Sequence, residues 1–221
     1  MYDTLLELPL LQGLGRTDLT AILEKVKFHF DKYAPGSPIV GQGDKCDKLI
    51  FILKGRIRSE LIDQKKRYTL DEFINGPHVI EPYSLFGMTT NYTVSYYADT
   101  EVSSVTINKE YILTELSKYK IFQLNYLNII SNYAQSLQHK LLNAHLGDTR
   151  EKIINFLQMR CLNQSGEKYL HIRMEDFAIM IDDTRINVSR ALNNLQDRGL
   201  VTLSRGEIYI PDLEKLSKYK L

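Results

Sequence analysis

Between residues 184 and 201, in TRINVSRALNNLQDRGLV, apolar side chains return every three or four positions at Val188, Ala191, Leu192 and Leu195. That spacing predicts an amphipathic helix with a buried stripe of Val188, Leu192 and Leu195. Its other face carries Arg185, Ser189, Arg190 and Asn193, a set that burial does not require. Just upstream, EDFAIMI predicts a brief helix presenting Phe177, Met180 and Ile181, followed by a DDT turn with capping residues. REKIINFLQMRC at 150–161 reads as a further amphipathic helix, YLHIRM as a short strand, and LVTLSRGEIYI as two short strands around SRGE.

The pattern changes towards the N-terminus. Residues 34–107 alternate short β-prone runs (Pro38–Val40, Leu49–Leu53, Ile57–Ile62) with Gly, Pro and Asp, which predicts an antiparallel sandwich or barrel. Before it, GRTDLTAILEKVKFHF predicts a short helix with Thr17 as its N-cap. From Lys118 to Leu146 there is no Gly or Pro, and Tyr126, Ile130, Tyr133, Leu137, Leu141 and Ala144 recur at helical spacing. Such a helix can lie on its own domain or form a coiled-coil-like seam with a second chain, and the pattern alone fits both. Gly147 stops it, and Asp148 or Thr149 starts the next helix. Three segments follow: a β-rich 1–117, a long helix over 118–146 and a helix-rich 147–221.

Composition narrows the class. The 221 residues are 43% hydrophobic and 25% charged, enough chain for a real core. Apolar runs such as IFIL at 50–53 fall far short of the roughly 18–20 residues that span a bilayer. Asp3 and Glu7 stand where a signal peptide carries Lys or Arg, so a cytoplasmic protein without membrane contact is expected. Cys46 and Cys161 form no CxxC pair and are expected to be reduced structural or surface thiols. Two cysteines alone assemble neither a zinc site nor an iron–sulfur cluster, so no metal is expected. No HExxH, P-loop, GxSxG or Cys-His pairing points to an enzyme.

The net charge of +1 is uninformative by itself, because only a docking face has to be positive. Locally, residues 184–206 hold the arginines 185, 190, 198 and 205 against the single acid Asp197. Over 147–221, twelve basic residues almost balance eleven acidic ones. Two helices joined by a short polar turn, the second with a positive outer face, make a helix-turn-helix. Burial of Val188, Leu192 and Leu195 leaves Arg185, Ile186, Ser189, Arg190 and Asn193 outward, where a B-DNA major groove admits one helix. The following hairpin, with Arg205 and Gly206 at its tip, is placed to touch phosphate as a wing.

At these residues the chain resembles the Crp–Fnr transcription regulators. PGSPIVGQGDKCDKLIFILKGRI is similar to the opening of that family's β-roll, the long helix to its dimerisation helix, and TRINVSRALNNLQDRGLV to its recognition helix. The resemblance implies an α+β fold. It comprises an N-terminal double-stranded β-helix (a jelly-roll, cupin-like β-roll) as sensor over 1–117, a dimerisation helix over 118–146, and a winged helix-turn-helix over 147–221. It implies a homodimer that reads a palindromic operator in double-stranded DNA through 184–198 and works with RNA polymerase. Arg185 and Arg190 would meet bases or phosphates, Thr184 the backbone. The NAHLGDT segment would be the hinge that an effector shifts.

The departures shape the expectation further. Cyclic-AMP-binding members use a Gly-Glu pair and an Arg-Ser pair; here Glu81 remains, Ile80 replaces the Gly, and Tyr92-Thr93 replace Arg-Ser. Without that arginine nothing neutralises a buried cyclic phosphate, so cyclic AMP is not expected and any small-molecule effector is another one. Leu137 stands where the adenine-contacting threonine is expected. Glu81 then reads as a rim or ion-pair carboxylate, and Tyr83, Tyr92, Tyr96 and Tyr97 as filling the altered pocket. His29, His78, His139, His145 and His171 have no supporting haem pattern and are read as structural or solvated. Where cyclic-AMP-type members have Glu, Ile186 suits a thymine methyl and not cytosine N4. The competing class is a small-molecule-binding module whose winged helix contacts protein.

Overall fold

The computed structural model describes residues 5–142 and 147–218. Two compact units form, Met1–Arg58 with Ile74–Gln135, and Ser59–Phe73 with Ser136–Leu221. The boundaries expected after residues 117 and 146 are therefore not those of the compact units. The hairpin of the β-rich segment belongs with the C-terminal residues, because its second strand pairs with theirs.

In the first unit, helix α1 (Arg16–Lys25) precedes strands β1 (His29–Tyr33), β2 (Pro38–Val40) and β3 (Lys48–Lys54). Its N-cap is Gly15, without a side-chain bond, so the helix begins before Thr17 and the expected hydroxyl cap is not made. Strands β4 (Arg56–Ile62) and β5 (Tyr68–Asn75) follow, each running from this unit into the other. Then come β6 (His78–Ile80), β7 (Ser95–Ala98) and β8 (Val102–Asn108). The sheet order β1-β8-β3-β6 is antiparallel throughout, and β2 pairs with β7. This is a jelly-roll-like domain, and β3 is so apolar because Leu49, Ile50, Phe51 and Ile52 are all buried. At the β3–β4 turn Gly55 has φ +98°, and a Cβ there would meet the Glu101 carbonyl oxygen at 2.3 Å, so only glycine fits.

Helix α2 (Lys109–Thr114) leads to the long helix α3 (Lys120–Leu142). The packing of this helix distinguishes its tyrosines from its leucines. Tyr126 and Tyr133 pack on the roll, Tyr126 edge-on to Phe86 and Tyr133 stacked on Tyr83. Leu124, Leu127, Leu137 and Leu141 stay exposed. Residues 143–146, which include Ala144, His145 and the first part of the expected hinge, lie outside the described residues.

The second unit holds α4 (Thr149–Arg160), β9 (Lys168–Ile172), α5 (Met174–Met180), α6 (Arg185–Asp197), β10 (Thr202–Ser204), β11 (Glu207–Ile210) and α7 (Leu213–Lys218). Asp148 caps α4 in a capping box with Glu151, and Gly147 before it has φ +106°. The wing strands continue through the sheet as β10-β11-β9-β5-β4. One core joins Tyr68 and Leu70 of the hairpin to Phe156, Leu157, Leu170, Phe177, Val188, Leu192 and Leu195. Beneath it, Lys168 and Glu72 form a fully buried ion pair at 3.1 Å. Glu72 also accepts from the amides of Leu162 (2.6 Å) and Asn163 (3.1 Å). Among the described residues, no helix is long and apolar enough to cross a membrane.

Candidate nucleic-acid interface

Helices α5 and α6 bury the expected pairs: Phe177 and Ile181 face Val188, Leu192 and Leu195, with Met180 packed at the margin. The turn between them depends on two aspartates. Asp182 takes a left-handed φ of +51°. The Asp183 carboxylate accepts from the Thr149 hydroxyl (2.7 Å), the Asn187 amide side chain (2.9 Å) and the Thr184 backbone N–H (2.7 Å). These bonds, the one from Thr149 first, hold its pKa down to about 2. Lys152 reaches the same turn, donating to the Asp182 carbonyl at 2.6 Å. The start of α4 is thereby pinned to the start of α6.

Thr184 is the α6 N-cap, its oxygen accepting from Asn187 N at 3.2 Å. The outward face is as expected. Arg185, Ile186, Ser189, Arg190 and Asn193 line one groove of about 660 Å³, and Met174, Asn194 and Asp197, which the apolar periodicity does not single out, complete it. Ile186 is 70% exposed, an apolar side chain left in solvent at the centre of a polar face. Arg185 Nε lies 3.2 Å from Glu175 on α5, and both side chains remain largely exposed. Arg190 also lines a second groove, of about 310 Å³, with Thr149, Arg150 and Asn187. Arg205 is exposed at the β10–β11 turn and belongs to neither groove.

The expected effector residues behave differently. Of the two readings of Glu81, rim or ion-pair carboxylate, its 2% exposure rules out the rim. Its oxygens accept from the Ser84 hydroxyl (2.8 Å), Thr93 N (2.8 Å), the Thr93 hydroxyl (2.9 Å), Val94 N (3.2 Å) and the Tyr96 hydroxyl (3.4 Å). Hydrogen bonds, rather than a cation, offset its burial. Tyr92 is buried and donates to the Lys48 carbonyl. Tyr83 and Tyr133 stack at 3.9 Å, a partnership between a 3-10 turn (Pro82–Ser84) and a helix that sequence spacing does not reveal. Tyr96 is buried with its hydroxyl on Glu81. Leu137 falls in the other unit and is exposed. Both cysteines are free and buried, which selects the structural reading, and burial raises both thiols. Among the described residues, no group of three or more His, Cys, Asp or Glu is placed to hold a metal ion.

The model of the cyclic nucleotide-binding domain matches residues 30–119, and that of the Crp-like helix-turn-helix domain matches residues 151–219. The chain belongs to the Crp–Fnr family. No curated protein matches it. Among solved structures it is similar to the catabolite activator protein of Thermus thermophilus, at 20% identity and a TM-score of 0.53 over 95% of this chain and 97% of that one. It is similar to a Crp/Fnr-family regulator of Eubacterium rectale at 18% identity and 0.54, over 95% and 96%. A third, the c-di-GMP-responsive regulator CLP of Xanthomonas campestris, is 17% identical with a TM-score of 0.53, over 89% and 99%. At these identities the likeness shows the shared fold. The Crp–Fnr chain thus pairs a cyclic-nucleotide-binding-type domain with a helix-turn-helix, in a family of DNA-binding transcription regulators that are not enzymes.

Proposed function

We propose that this chain is a homodimeric cytoplasmic regulator whose α6 reads a palindromic operator and whose control does not pass through cyclic AMP. The outward face of α6 carries the reading. Two arginines, a serine and an asparagine surround the exposed Ile186, a set suited to base edges and of no use to the core. Arg185 and Arg190 donate to guanine or phosphate, Asn193 suits adenine, and Ile186 presses on a thymine methyl. Thr184 and Arg205 contact the backbone on either side.

Leu124, Leu127, Leu137 and Leu141 on α3 supply the apolar seam for a second copy. Pairing then spaces two recognition helices by one DNA turn, about 34 Å, and presents the complex to RNA polymerase. A strictly monomeric sedimentation profile at micromolar protein would remove the dimer. The saturation of Glu81 by the protein's own donors leaves no acceptor for a ribose, which supports an effector other than cyclic AMP or none.

Selection of bound sites from random duplex, with and without metabolite extract, defines the operator and any ligand dependence. On that operator Arg190→Ala costs about 1–3 kcal/mol, roughly 5- to 150-fold, and much less on random duplex. Equal losses on both would demote Arg190 to a phosphate contact.

A further inference from the structure

We propose that the β4–β5 hairpin is a second wing, its tip lysines Lys65 and Lys66 gripping phosphates of the DNA that α6 reads; this rests on the reading above. The tip is Asp63-Gln64-Lys65-Lys66-Arg67. Its one acid is consumed internally. Asp63 accepts from Arg67 Nε at 2.9 Å and from the backbone N–H of Lys65 at 3.2 Å, while Lys66 N donates to the Asp63 carbonyl at 2.7 Å. Lys66 holds a left-handed φ of +53°, which closes the turn. Gln64, Lys65 and Lys66 are left exposed.

The sheet register places this tip beside the reader. Strand β5 pairs antiparallel with β9, Tyr68 opposite Ile172, so the tip lies at the end of β9 where α5 begins. Strand β11 pairs with β9 so that Glu207 faces His171, and Ile172 N donates to the Gly206 carbonyl at 3.0 Å. The Arg205–Gly206 wing tip and the lysine tip therefore share one end of one sheet, on either side of β9. With the order β10-β11-β9-β5-β4, their midlines are three strand spacings apart, about 14 Å. That separation is close to the roughly 12 Å width of the major groove, so the two tips suit phosphates on opposite strands. Met174, two residues beyond Ile172, already lines the recognition groove. Asp176, in the first turn of α5, lies within electrostatic reach of Arg67.

The tip is also held ready. Beneath it, Tyr68 accepts from Arg160 Nε at 2.9 Å, and Glu72 is locked to Lys168 and to the Leu162 and Asn163 amides. A rigid mount lowers the ordering cost of binding. Lysine ammoniums act as point charges towards phosphate and carry no base information. The partner chemistry is thus the phosphodiester backbone of duplex DNA.

The test is the full-length double variant Lys65→Gln/Lys66→Gln, titrated with salt on the selected operator and on random duplex. Removing two phosphate contacts per protomer lowers the slope of log K against log salt by about 2 per protomer. Between about 50 and 200 mM salt, the loss of affinity then shrinks by about tenfold per protomer. The ratio of operator to random affinity and the melting temperature stay at wild-type values, and backbone protection flanking the α6 footprint disappears. A wild-type slope in the double variant, or a changed operator-to-random ratio, overturns the second wing while the α6 reading stands. If the variant keeps the slope but loses binding to an acidic protein partner, the tip is a protein contact and the proposal fails. A wild-type protein whose DNA affinity ignores salt sinks the reading of α6 itself.

Discussion

The Glu81 pocket and the α6 face are both rich in polar side chains, yet they are built in opposite ways. Around Glu81 every donor turns inward: two hydroxyls, two backbone amides and a phenol converge on one buried carboxylate. On α6 the polar groups turn outward around an exposed isoleucine and leave most of their hydrogen-bonding capacity to a partner. Buried polar groups must satisfy one another or forfeit stability, so a saturated pocket has little chemistry left for a ligand. A solvated face meets no such demand and keeps its groups for binding. The polar groups around Glu81 are therefore spent on one another, whereas those of α6 face solvent.

The reader's internal part gives the largest lever on that contrast. Glu72→Ala leaves Lys168 buried without its partner and is expected to cost about 3–5 kcal/mol in urea unfolding. A loss below about 1 kcal/mol would show that the hairpin is not integral to the reader's core. Next is the pocket. Glu81→Gln puts amide hydrogens against donors from Ser84, Thr93, Val94 or Tyr96, costing about 1–3 kcal/mol while DNA affinity per folded molecule is unchanged. A large gain or loss of DNA affinity would instead make Glu81 part of the switch.

The third lever joins the two kinds of site. Asp183→Ala removes the pin between α4 and α6 and is expected to cost about 1–2 kcal/mol, read by thermal melting, with weaker operator binding. Since the folded pKa of Asp183 is depressed to about 2, its contribution is full above the ordinary 3.8 and is lost as pH falls from there towards 2.

The smallest effect belongs to the roll. Burial lowers the His78 pKa from 6.5 to about 4. The unfolded chain takes up this proton near 6.5 and the folded chain only near 4, so stability is full above 6.5 and falls as pH drops through that window. The ring keeps some solvent contact, which reduces the effect to about 1 kcal/mol. His78→Phe should flatten the melting temperature between those pH values; an unchanged pH profile would mean that another group carries it.

Much was legible because its cause is local. Helix periodicity, the Thr184 cap and the outward set on α6 depend on residues within a few turns of each other. Asp148 and Thr149 were equal candidates for the α4 cap, and the capping box with Glu151 selects Asp148. The stripe on α3 fitted two partners, and the packing assigns Tyr126 and Tyr133 to the roll while leaving its leucines exposed.

What the sequence by itself determined is the two-faced helix: which residues of α6 bury and which, Ile186 among them, stay outward. What only the tertiary structure decided is where distant groups find their partners. Glu81 read as a rim or ion-pair carboxylate, and became a buried one held by hydrogen bonds when Thr93, Val94 and Tyr96 closed over it. The 59–73 hairpin read as part of the β-rich segment, and became part of the reader when β5 met β9. Side-chain period reports burial of a strand, but backbone pairing is chemically the same at every edge. At the edge it joins, β5 buries Tyr68 and Leu70 with Leu170 and Ile172 of β9 and sets Glu72 opposite Lys168, contacts that only the folded chain brings together.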